Sequence, residues 1–147
     1  MQNNFLLKED ILSEGVNFED NLGYGGEYDQ LIVEYDNEEN EFLYSGLAYD
    51  LYANGEVESY FFVKEGVKEG VYISFYENGN IKSKCNLLKG TLYGPQFEYY
   101  ENGRIMREFD CVAGRIMKFT KFNKEGVIIE QKEEPDSDDL LYAKNFE

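Results

Sequence analysis

The sequence contains no histidine and no tryptophan, only two cysteines and two prolines, and 14 basic residues against 30 acidic ones. The missing histidine removes the commonest general base and the commonest metal ligand. Ser-His-Asp and Cys-His catalysis are thereby excluded, as are His-ligated zinc sites. Two cysteines give no disulfide framework. The N-terminal stretch MQNNFLLKEDIL has no basic n-region and no long apolar run, so it reads as neither a signal peptide nor a membrane span. A cytoplasmic protein is expected. The shortage of Lys and Arg leaves a formal net charge of −16. Such a surface repels phosphate backbones and anionic headgroups, so neither nucleic acid nor membrane is an expected partner. It attracts a basic protein, and it also serves solubility with no partner at all.

What the chain does have is aromatic residues and a repeat. It holds 13 Tyr and 11 Phe in 147 residues, a composition suited to one β domain. YANGEVES at 52–59 returns as YENGNIKS at 76–83 and YENGRIMR at 100–107, each copy 24 residues after the last. Two further glycine columns keep the same step: Gly46, Gly70, Gly94 and Gly66, Gly90, Gly114. Asn-Gly between alternating apolar runs predicts a hairpin with a two-residue type I′ turn. That turn sets Tyr52 against Val57, Tyr76 against Ile81, Tyr100 against Ile105 and, farther from the turn, Glu98 against Arg107. GVKEG at 66–70 and GTLYG at 90–94 read as short polar loops returning the chain to the next hairpin.

The expected fold is all-β: an elongated, twisted antiparallel meander of stacked hairpin repeats, with room for a short helix at either end. About eight strands would span roughly 40 Å. Because the strand faces mix apolar and charged residues, a thin sheet is expected rather than a closed barrel. Residues 1–41 read as an N-terminal cap with a degenerate first repeat in EYDQLIVEYD, 42–130 as the repeats, and 131–147 as an acidic tail or short helix. Lys118 and the Glu125-Gly126 corner break the pattern near its end. After Pro135, Asp136 or Ser137 either caps a helix that docks Leu140, Leu141 and Phe146 on the sheet, or the segment is a disordered tail.

Motifs that carry chemistry are sparse. GYGG at 23–26 lacks the Lys and Ser/Thr of a phosphate loop and reads as a loop or strand bend. DNEENE at 36–41 lacks the calcium-loop pattern and reads as a polar turn. Cys85 and Cys111 fall on strands separated by another strand, about 10 Å apart, too far for a bridge. Glu38/Glu39 and Asp138/Asp139 read as solvated surface. No metal, cofactor or enzymatic activity is expected.

The units GLAYDLYANGEVES, GVYISFYENGNIKS and GPQFEYYENGRIMR resemble the MORN-repeat variant, and with it the YwqK-like bacterial antitoxin and immunity proteins. The resemblance spans roughly residues 42–130. It implies a small cytoplasmic protein that binds and neutralises a cognate toxin; an acidic inhibitor suits a basic toxin such as a nuclease. Acids near the middle of the sheet, with tyrosine anchors, would then form the contact: Asp50, Glu58, Tyr60, Glu98 and Tyr99. The alternative is a MORN-like scaffold with no toxin partner. A monomer is expected in the free state.

Overall fold

Aromatic and β-branched residues alternate between glycine-marked corners, and each such run becomes a strand. The computed structural model describes residues 6–146; residues 1–5 of the expected cap and Glu147 lie outside them. In chain order the elements are α1 (Lys8–Glu14), β1 (Val16–Asn17), α2 (Phe18–Asn21), β2 (Leu22–Gly25), β3 (Leu31–Tyr35), β4 (Glu41–Leu43), β5 (Gly46–Leu51), β6 (Val57–Lys64), β7 (Val67–Phe75), β8 (Ile81–Leu88), β9 (Thr91–Leu92), β10 (Gly94–Tyr99), β11 (Ile105–Val112), β12 (Arg115–Phe122), β13 (Ile128–Lys132) and α3 (Ser137–Lys144). The main sheet has ten strands in the order β1-β5-β6-β7-β8-β10-β11-β12-β13, with β9 also on β8. All of its pairs are antiparallel except β1 with β5. The fold is the all-β meander with short helices that the repeat predicts.

The turn chemistry is the reverse of the expectation. A type I′ turn needs positive φ at both central residues. Glu65-Gly66, Lys89-Gly90 and Ala113-Gly114 meet that condition, with φ of 47° and 83°, 52° and 85°, and 46° and 86°. The return connections are therefore the tight turns, not polar loops. At the Asn-Gly corners only the glycine is left-handed. Tyr52 N donates to Glu56 O at 2.8 Å and Gly55 N to Tyr52 O at 2.9 Å, closing a three-residue loop. Asn54 contributes through its side chain, whose Oδ1 accepts from Glu56 N at 2.9 Å. A one-residue bulge follows each corner and restores the register. Hence Glu98 does face Arg107, whereas Leu51, Phe75 and Tyr99, not the neighbouring tyrosines, face Val57, Ile81 and Ile105.

The corner tyrosines are thereby released for another task. Tyr52 Oη donates to Phe75 O at 2.5 Å, Tyr76 Oη to Tyr99 O at 2.7 Å and Tyr100 Oη to Phe122 O at 2.8 Å. Each corner is tied to the main chain of the next. The final corner carries Asn123, which folds inward to accept from Glu125 N and Val127 N. Gly70 and Gly94, at φ of 86° and 83°, mark bulges along the strands. Between Phe61 and Val63 the partner strand runs two residues ahead; where Lys118 replaces the glycine, only one is gained. A lysine does not readily adopt the left-handed backbone of the wider bulge.

The stretch around EYDQLIVEYD does not join the main sheet. Its strand, β3, pairs with β2 and β4 in a separate three-stranded sheet. It keeps the corner form, Asp36 N to Asn40 O at 3.1 Å, with Glu39 in the glycine place at φ 64°. This small sheet and α1 cover opposite faces of β5–β7. Leu22, Ile32 and Tyr44 pack on Ala48, Phe61 and Val63 on one side. On the other, Ile11 joins Leu47, Val57, Tyr60 and Ile73. Burying each such side chain contributes about 1.5–3 kcal/mol. The expected thin sheet thus holds only beyond β7.

At the C-terminus, Asp136 and Asp139 form a reciprocal capping box on α3. Leu140, Leu141 and Phe146 do not dock; they are 58%, 67% and 48% exposed. The helix is held instead by Asp139, 2% exposed, which takes Arg115 Nε at 2.8 Å and Lys132 Nζ at 2.6 Å. Tyr142 Oη adds a bond to Ala113 O at 2.7 Å. Asp139 is therefore not a solvated surface acid. Cys85 on β8 and Cys111 on β11 are free thiols with β10 between them.

Candidate interaction surface

Cross-strand partners share a sheet face, and successive residues alternate faces. One row runs Asp50, Ser59, Ser74, Ser83, Glu98, Arg107 from β5 to β11. The adjacent row, Tyr49, Tyr60, Ile73, Lys84, Phe97, Glu108, faces the other way. Asp50 and Glu98 thus share one face, about 19 Å apart across the intervening strands. Tyr60 and Tyr99 lie on the opposite one, so the five residues picked from sequence do not converge.

Their individual states differ too. Tyr60 is 1% exposed, and its hydroxyl accepts from Leu6 N at 3.1 Å, so it has no surface to offer a partner. Glu98 already receives both Nε and Nη2 of Arg107, at 2.9 and 3.2 Å. Tyr99 is half-buried, and burial, with the Glu108 charge, pushes its phenol up. Asp50 is half-buried; burial raises its carboxyl above the ordinary value, Glu58 and Glu19 add to this, and Lys68 opposes it. Glu58, at the bulge after the first corner, is exposed.

The acidity is not spread evenly. Residues 9–63 contain 15 acidic side chains and not one Lys or Arg. Residues 81–134 contain 8 acidic and 10 basic ones. Counting charge by segment, rather than over the whole chain, exposes this without any structure. The structure adds where it falls: α1 from Glu9 onward, α2, the small sheet and β5 all lie in the base-free segment. In the second half, acids and bases neutralise each other: Glu98–Arg107 at 2.9 Å, Asp110–Lys118 at 3.5 Å, Lys121–Glu130 at 3.3 Å, and Asp139 with its two cations.

The small sheet also carries exposed rings: Tyr24 at 52%, Tyr28 at 73%, Tyr35 at 49% and Phe42 at 53%, with Leu43 at 49%. Glycines in β2 shape this surface. A side chain at Gly23 would meet Tyr35 Oη at 2.8 Å, and one at Gly25 would meet the Glu41 carboxylate at 2.2–2.9 Å. The GYGG run therefore lets Tyr35 and Glu41 lie across the strand. In the adjoining DNEENE turn, Asp36 turns inward, bonding Glu38 N, Asn40 N and Asn40 Nδ2 at 2.9, 2.9 and 3.1 Å. The Asn40 bonds, foremost among them, hold its carboxyl below the ordinary value. Among the described residues no group of three or more Asp, Glu, Cys or His is placed to hold a metal ion. No helix among them is long and apolar enough to cross a membrane.

No match was found among curated proteins or among solved structures. The family model for the MORN repeat variant matches residues 68–88 and 92–110, two successive strand–corner–strand units, so the hairpins across β7–β11 are similar to the MORN repeat variant.

Proposed function

We propose that this chain binds and masks a basic protein, as an immunity protein or antitoxin does with its toxin. The repeat itself supports a coarser statement, a repeat-built protein-interaction module. The observation that carries the finer reading is the base-free acidic segment 9–63. Glu56 of this segment is paired with Lys8 at 3.0 Å; its other acids have no ion pair among the described residues, like charges on one end of a fold repel each other, and a cationic partner removes that repulsion on binding. The toxin as partner class comes from the resemblance of the repeat units to YwqK-like immunity proteins. The acidic half offers the charge, and the self-neutralised half serves as a rigid extension of the same sheet.

The test has two steps: the product of the adjacent gene is identified, and, where it carries a basic toxin domain, that domain is purified and mixed with this chain. A tight complex should form, with affinity falling as salt rises and association slowing when Asp29 and Glu38 are both changed to Lys. Absence of a complex at low salt removes the reading. A scaffold without a toxin partner would instead recover several unrelated proteins, with no dependence on Asp29 or Glu38.

A further inference from the structure

We infer that the outer surface of the small sheet, around Tyr28 and Tyr35, is a docking site for an arginine-rich segment of a protein partner; this rests on the basic-partner reading and assigns it a place. Elsewhere in the molecule, aromatic faces hold cations of the same chain. Lys68 lies 4.7 Å from the Phe61 ring centre and 5.0 Å from that of Tyr72, Arg107 4.1 Å from Phe109, and Arg115 5.4 Å from Tyr142. Among the described residues, none of these cations lies over a ring of the small sheet. Its own segment contains no Lys or Arg, yet it leaves Tyr28 at 73% and Tyr35 at 49% exposed. Glu41, the cross-strand partner of Tyr35, and Glu38 in the adjoining turn stand exposed beside it.

Charge selects the occupant. A second copy of this chain would set one base-free surface against another and is repelled; an anionic lipid or nucleic acid is repelled for the same reason. A cationic segment gains ion pairs at the carboxylates and ring contacts at the tyrosines. Arginine suits both better than lysine, because its guanidinium is planar, stacks on rings and binds carboxylates with two donors. The lying-down posture of Tyr35 over Gly23 presents a ring to such a group. Because Tyr28 sits at the loop between β2 and β3, its removal does not touch the core.

The test is titration of isotope-labelled full-length chain with decaarginine at about 20 mM salt, where screening is weak. Amide shifts should concentrate in residues 22–43. Tyr28→Ala with Tyr35→Ala should weaken binding at least about tenfold, and decalysine should bind several-fold more weakly than decaarginine. Gly23→Ala, which displaces Tyr35 without deleting it, should weaken binding in the same direction. Shifts centred on α1 or β5, with the tyrosine variants binding like the parent, overturn the site and leave the basic-partner reading standing. No binding of either peptide overturns the site and, together with absence of the toxin complex, the reading beneath it.

Discussion

The two halves of the sheet are built from the same hairpin but stabilised differently. β5–β7 are covered on both faces, by α1 and by the small sheet, and their cohesion is apolar. The strands from β10 onward have no such covers; ion pairs lie along them and Asp139 bolts α3 to their end. The first half is thus free to leave most of its acids without an ion pair, Glu56 with Lys8 apart, because packing holds it. The second spends its charges internally. A repeat that makes one backbone shape can therefore serve as a packed core in one stretch and as a self-neutralised extension in the next.

The largest effect on this contrast comes from Asp139→Ala. It leaves Arg115 and Lys132 without their shared carboxylate, so α3 should detach and the urea midpoint should fall, with amide protection lost over 113–119 and 137–144 but retained in β5–β7. Its folded carboxyl lies far below the ordinary value because of Lys132, the Asp136 amide and Arg115. The stability it supplies is therefore present above the unfolded value of about 3.9 and is lost as pH falls below it. The parent protein should converge on the variant in that acid range.

Next in size is the corner hydroxyl. Tyr76→Phe removes the donor to Tyr99 O and should cost about 1 kcal/mol in denaturant unfolding. Tyr52→Phe, under the covered half, should raise local exchange less than Tyr100→Phe in the uncovered one.

The smallest effect has the opposite sign. Asp50 has its carboxyl raised, so folding is disfavoured by its charge and stability is gained as pH falls through its folded value. Asp50→Asn should raise the unfolding free energy at neutral pH by about 0.5 kcal/mol and abolish that gain. If both aspartates titrate stability in the same direction, the division between the halves is wrong.

Local signals were legible in the sequence; non-local ones were not. The 24-residue step, the corners, the strand order, the Glu98–Arg107 pair and the separated thiols all follow from short-range pattern. The turn assignment failed because Asn-Gly fits a two-residue turn and a three-residue loop with a bulge equally well, and the bulge hides the difference a few residues away. Tyr60 read as a surface anchor because nothing local announces that residue 6 lies over it. EYDQLIVEYD kept the corner but lost the stacking, and only its pairing with β2 and β4 reveals a second sheet. Asp139 is one acid among six in residues 131–147; its burial depends on cations 24 and 7 residues away. Asp50, Glu58 and Glu98 follow from whole-chain charge, which conceals that the acids and bases occupy different stretches.

The tyrosine bonds give the repeat a direction. The corners at Tyr76 and Tyr100 each hand a hydroxyl forward and receive one from behind, so the joint between neighbouring units is the same at each of its three occurrences. Inserting a duplicate of residues 76–99 leaves each joint intact and moves the Asn123 terminus outward by two strands. The chain can be lengthened or shortened in whole-hairpin steps, like a ruler cut only at its marks, without redesigning either end.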